Sequence, residues 1–185
     1  MRHTRAGWWA RLIGLAVMLG AFLVALELMA RADNGLIASF CWGDGSAVDC
    51  PCLNWNQDPF AGCANSTGHG ADLSVTGDAN AGALTFAAGN LPSGSLALLF
   101  EAKATIMDGT GTYGQQHGDG LLCIVGQEVT IGWAVAEANG WAKWDAVPVS
   151  PLDGWRRFQV LYRDEAGPCG GGFNTTGGLA LLILP

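Results

Sequence analysis

Basic side chains are scarce in this chain: nine Lys and Arg among 185 residues, against 16 Asp and Glu. Nucleic-acid phosphates are neutralised by Lys and Arg, so the shortage argues against a polynucleotide partner. Lys, Glu and Arg also build most exposed helix surface, and only 14% of residues are charged, which leaves little material for surface helices. The apolar run at residues 12–26 has 15 residues, short of the roughly 20 that a membrane span needs. The cysteines lack the paired C-x2-C spacing of zinc sites. No Gly-x-Ser-x-Gly surrounds Ser46, and there is no EF-hand loop or nonapeptide repeat. No Leu-x-Gly-Cys precedes Cys41, where Ile37-Ala-Ser-Phe40 stands instead, so no lipid anchor is expected there.

The N-terminus carries Arg2, Arg5 and Arg11 without an acid, then the apolar run, then Ala30-Arg31-Ala32. That order reads as a secretory signal peptide over residues 1–32, cut after Ala32. Those residues hold Arg2, Arg5, Arg11, Arg31 and Glu27, so five basic and fifteen acidic side chains remain, a net charge of −10. Anionic lipid is thereby disfavoured as a partner, and no stable membrane span is expected after cleavage. About 150 residues suit one domain. Composition divides them into a Cys/Gly-rich loop module, 33–70, and a β-domain, 71–185.

Short apolar stretches broken by Gly, Asn, Asp and Pro favour strands over helices. Leu73 and Val75 alternate with Asp72, Ser74 and Thr76, a half-buried strand pattern. Residues 83–87, 95–100, 121–125, 128–135, 155–162 and 179–184 read as further strands. The stretches at 95–100 and 179–184 are apolar on both faces and suit the interior of a sheet. Gly126-Gln127 is a hairpin-length gap, and residues 136–155 read as irregular. The expected fold is all-β: a two-sheet β-sandwich, jelly-roll-like, with a disulfide-braced N-terminal loop region.

Six cysteines behind a signal peptide are expected to form three disulfides. Cys50 and Cys52 sit too close across Pro51 to pair with each other. Each is expected to reach Cys41 or Cys63, leaving Cys123 to join Cys169.

Candidate sites are few. His117-Gly-Asp119 has the residue types of a hydrolase pair. Asp44, Asp49, Asp108 and Asp119 lie in Gly-rich turns whose carboxylates and carbonyls suit calcium, although Asp-Gly is also a common turn dipeptide. Trp42, Trp55, Trp133, Trp141, Trp144 and Trp155 form a rich aromatic set. Trp133 and Trp155 fall in strand patterns and are assigned to the core. Trp141 and Trp144 fall in a loop and are the candidate ligand-binding pair, since exposed rings on a sandwich face can stack against sugars. Asn65-Ser-Thr67 and Asn174-Thr-Thr176 spell glycosylation sequons.

Several motifs recur in a fixed order: Cys41-x-Gly-Asp-Gly-Ser46, Cys50-Pro-Cys52, Gly62-Cys63-Ala-Asn-Ser66, Gly118-Asp-Gly-Leu-Leu-Cys123, Tyr162-Arg-Asp164, Cys169 and Phe173-Asn174. In this order they resemble a family of uncharacterised exported, Cys-rich bacterial proteins, over residues 41–185. The family pattern has Phe and Arg where this chain has His117 and Leu122, and Leu and Asn where it has Thr175 and Gly177. The resemblance implies export and a disulfide-braced β fold, and carries no activity. The expected function is an exported structural or recognition module without evident catalytic chemistry. The alternatives are a carbohydrate- or calcium-dependent binding domain for a glycan or cell-envelope partner, and a hydrolase using His117 and Asp119.

Overall fold

A computed structural model describes residues 36–78, 82–149 and 154–183. The expected signal peptide lies outside these residues. Gly35–Pro185 makes one compact unit.

The described residues are all-β. In chain order the strands are β1 (Leu36–Phe40), β2 (Ala61–Ala64), β3 (Gly70–Asp78), β4 (Ala83–Gly89), β5 (Leu96–Ala102), β6 (Ala104–Thr105) and β7 (Gln115–His117). They continue with β8 (Gly120–Leu122), β9 (Ile124–Val125), β10 (Val129–Val135), β11 (Ala142–Pro148), β12 (Gly154–Asp164), β13 (Gly172–Thr175) and β14 (Gly178–Ile183). A 3₁₀ turn, Pro51–Leu53, interrupts the first long loop. The larger sheet runs β1-β14-β12-β5-β10, and β13 pairs with the far end of β12. The smaller runs β11-β4-β3-β2. All pairings are antiparallel. As their apolar composition implied, β5 and β14 are interior strands.

The two sheets pack face to face. Leu73, Leu84, Phe86, Ala88 and Trp144 come from the smaller sheet, and Leu99, Phe158, Val160, Tyr162 and Leu181 from the larger, all buried in one cluster. Phe86 and Phe158 meet at 4.5 Å between ring centroids. Full burial of such a side chain is worth about 1.5–3 kcal/mol.

A second core lies on the opposite face of the larger sheet. Phe100 and Ala102, one residue out of phase with Leu99, join Cys41, Cys50, Cys63, Leu121, Cys123 and Ile124 there. The Cys-rich segment is therefore a third layer over the larger sheet, while its own β2 pairs with β3. Gln159 pins this layer from below. It is fully buried, donating to the carbonyls of Leu121 at 2.7 Å and Thr176 at 2.8 Å and accepting the Cys123 N–H at 3.0 Å.

The disulfides are Cys41–Cys123, Cys50–Cys63 and Cys52–Cys169. Only Cys50–Cys63 falls within the expected scheme; Cys123 does not join Cys169. Cys50 is buried and faces the second core. Cys52, in the turn that follows, is exposed and meets the loop after β12. The one-residue spacing of Cys50 and Cys52 thus splits them between two partners.

Two strand expectations also change. Residues 121–125 and 129–135 do not form a hairpin, because β9 pairs with β6 and β10 with β5. Within the stretch read as irregular, β11 is a full strand. Ala142 and Trp144 point inward and Lys143 and Asp145 outward. A bulge at Ala146, at φ 53°, then resets the phase so that Val147 is buried.

Candidate functional site

Residues from several distant segments meet in one hydrogen-bonded knot. Asp119 has no exposed surface. Its Oδ2 accepts the Cys169 N–H at 3.1 Å and its Oδ1 the Gly171 N–H at 2.5 Å. Its own N–H reaches the Phe173 carbonyl at 2.9 Å, and its carbonyl accepts the Asn54 amide at 2.8 Å. Gly120 is required by this close approach: a Cβ there would lie 2.3 Å from Asn174 Oδ1 and 2.8 Å from the Thr175 nitrogen. The Asn174 amide donates to the Ala64 carbonyl at 3.1 Å. Asn65 donates to the Tyr162 hydroxyl at 3.1 Å and the Asn90 carbonyl at 2.8 Å. Burial raises the Tyr162 phenol well above its ordinary pKa, so it stays a neutral hydrogen-bonding group.

This geometry corrects several sequence expectations. Asp119 is not an accessible base, since backbone N–H groups take both of its oxygens. His117 is exposed and packs on the Phe173 ring at 4.9 Å. Asp44 accepts the Ser46 hydroxyl, the main cause of its lowered pKa. Asp108 is likewise held low by the Thr110 hydroxyl and the N–H groups of Thr112 and Thr110. Asp44 and Asp108 thus close their own turns. Among the described residues, no three His, Cys, Asp or Glu side chains gather to hold a metal ion, so Asp44, Asp108 and Asp119 do not form the expected calcium set. Asn65 and Asn174, the two sequon residues, are buried with their amides bonded, which leaves neither free for a glycan in the folded protein.

The tryptophans divide differently from the expectation. Trp144 is 6% exposed and donates from Nε1 to the Gly132 carbonyl at 3.0 Å, so it belongs to the core. Trp133 is 59% exposed, because β10 is a sheet edge and residue 133 faces away from the sandwich. Trp155 is also exposed.

Trp141 combines exposure with polar neighbours. A turn sets its backbone: its N–H donates to Asn139 Oδ1 at 3.1 Å and its carbonyl accepts the Glu137 N–H at 2.8 Å. The residue remains 42% exposed. Its six-membered ring covers Gly89, where a Cβ would lie 3.1 Å from Cζ2 and Cη2. Gly89 pairs with Asp72 in the ladder, and Asp72 Oδ1 would lie 2.7 Å from that same Cβ. Asn90 Nδ2 lies 3.4 Å from Asp72 Oδ1.

Trp141, Gly89 and Asp72 thus form a row on the outer face of the smaller sheet. Ser74, Thr76, Thr85, Lys143 and Asp145 share that face by strand phase. Burial raises the Asp72 pKa, and the nearby charge of Asp58 adds to the effect. Asp58 itself pairs with His69 at 3.1 Å. Sequence reasoning singled out Trp141 but not its neighbours Gly89, Asp72 and Asn90. Asp72 was read only as the polar half of an alternating strand, and its approach to the indole depends on the pairing of three strands.

No family model, curated protein or solved structure matches the chain.

Proposed function

We propose that this is an exported, non-catalytic recognition domain that holds a carbohydrate on the Trp141 row. The observation carrying this reading is the Trp141 indole, half-exposed and seated on Gly89 beside Asp72 and Asn90. A sugar ring has an apolar C–H face and a rim of hydroxyls. The indole suits the first, and a carboxylate and an amide suit the second. The same face carries Ser74, Thr76, Thr85, Lys143 and Asp145, polar groups that suit the hydroxyls of a chain of sugars better than a small apolar molecule. An open site of this kind binds weakly, with Kd on the order of millimolar.

Export is supported by the signal-like N-terminus and by three disulfides, which form and persist in oxidising compartments. Among the described residues no helix is long and apolar enough to cross a membrane. The test is retention on a polysaccharide panel by affinity electrophoresis. Trp141→Ala is expected to abolish retention while circular dichroism shows the domain still folded, whereas Trp133→Ala leaves retention intact. Retention that survives Trp141→Ala removes the reading.

A further inference from the structure

We propose that the Trp141 row selects sugars that carry a primary ammonium group, so that its ligand is an amino-sugar chain rather than a neutral one. The selection rests on the carbohydrate reading and narrows the ligand to one chemical class.

The selecting group is Asp72. A Cβ on Gly89 would lie 2.7 Å from Asp72 Oδ1 and 3.1 Å from Cζ2 and Cη2 of Trp141. Carboxylate and indole are therefore within about 6 Å of each other, the reach over which an aromatic ring attracts a cation. Asp72 is only partly buried, and no other residue donates to its Oδ2, which stays accessible. Its Oδ1 receives a long contact, 3.4 Å, from Asn90 Nδ2. Among the described residues no Lys, Arg or His pairs with it.

A carboxylate partly withdrawn from water without a counter-charge is unfavourable, and burial raises the Asp72 pKa accordingly. A sugar hydroxyl offers such a group one neutral bond. An ammonium group offers a positive charge and three N–H donors, and bonds to ionised groups are roughly twice as strong as neutral ones. Neighbouring charges act in the same sense. Asp58 adds to the negative field at Asp72, Glu137 lies in the turn that carries Trp141, and the whole chain has a net charge of −7. The opposing cations are held apart from Asp72. His69 faces Asp58. Lys143 lies opposite Ala87 on β11, which β4 separates from the strand of Asp72.

Pentamers of glucosamine, N-acetylglucosamine and glucose in the same linkage differ only in an amino, acetamido or hydroxyl group. Each is titrated calorimetrically into the full chain at neutral pH and low salt. The glucosamine pentamer is expected to bind at least about tenfold tighter than the other two, with a preference that shrinks as salt rises. Asp72→Asn, which keeps the size of the side chain, should bring the amine down to the level of the neutral sugars, and Trp141→Ala should remove binding of all three. Equal binding of the three pentamers that is lost in Trp141→Ala leaves the carbohydrate reading standing and overturns the selection. An unchanged preference in Asp72→Asn overturns it as well. Pentalysine that binds as tightly as the glucosamine pentamer, with the same dependence on Trp141, assigns the site to peptide amines and overturns the amino sugar. Pentamer binding undiminished in Trp141→Ala removes the carbohydrate reading itself, and the selection with it.

Discussion

Asp119 shows how little a residue type says about its work. An aspartate beside a histidine in a glycine-rich loop suits catalysis or a cation, yet here its two oxygens close the loop after β12 onto the turn between β7 and β8. Asp119→Asn keeps the size and sets an amide NH₂ against a backbone N–H. One buried donor then loses its acceptor, at a cost of about 1–3 kcal/mol. Chemical denaturation at neutral pH measures this, and an unchanged midpoint would refute the structural role. Trp141 and Trp144 make the same point through spacing. Three residues apart on or beside one strand, they fall on opposite faces. A segment read as loop carries no such rule, so both were given the same role.

The elements missed were those whose pattern is broken or brief. In β11 the alternation of Ala142, Lys143, Trp144 and Asp145 stops at the Ala146 bulge, and Pro148 ends the strand. Read without the bulge, Val147 falls on the wrong face and the strand dissolves. β2 and β13 are four residues each, too short for periodicity to register. Long alternating segments such as β3 and β12 were legible because local sterics and burial agree along them.

The disulfides act on elements rather than residues. Cys52–Cys169 closes a separation of 117 residues and ties the 3₁₀ turn to the loop that also feeds Asp119. Replacing both cysteines by Ala is expected to lower stability by roughly 2–5 kcal/mol through the freed unfolded chain. Equilibrium urea unfolding of the double variant reads this directly. A loss near zero would mean that the turn is held by its other contacts.

For the whole molecule, stability against pH sums carboxylates pulled in opposite directions. Asp72 has a folded-state pKa above its ordinary 3.8. On acidification the folded state therefore takes up its proton first, and the burial cost of the charge is relieved as pH falls through that interval. Asp44, Asp108 and Glu128 have lowered values. Their bonds stabilise the fold above the ordinary carboxylate range and are lost as pH falls through the lowered values. Asp72→Asn should accordingly be more stable than the parent at pH 7, with the gap closing near pH 3. Thermal melts at the two pH values check this, and a gap that widens on acidification would contradict the sign.

Composition and periodicity by themselves determined the strand-rich fold, the interior places of β5 and β14 and the presence of cysteines suited to bracing. Those features follow from local rules: side chains alternate on a strand, glycine and proline punctuate, and apolar segments need burial. Tertiary structure alone decided which cysteine meets which, which tryptophan faces water, that Asp119 closes a loop, and that Asp72 lies beside Trp141. Each of these depends on segments far apart in the chain coming together, as Cys41 and Cys123 do at 6.0 Å between Cα atoms across 82 residues. No local pattern encodes that approach; it emerges only when both faces of the larger sheet are covered at once.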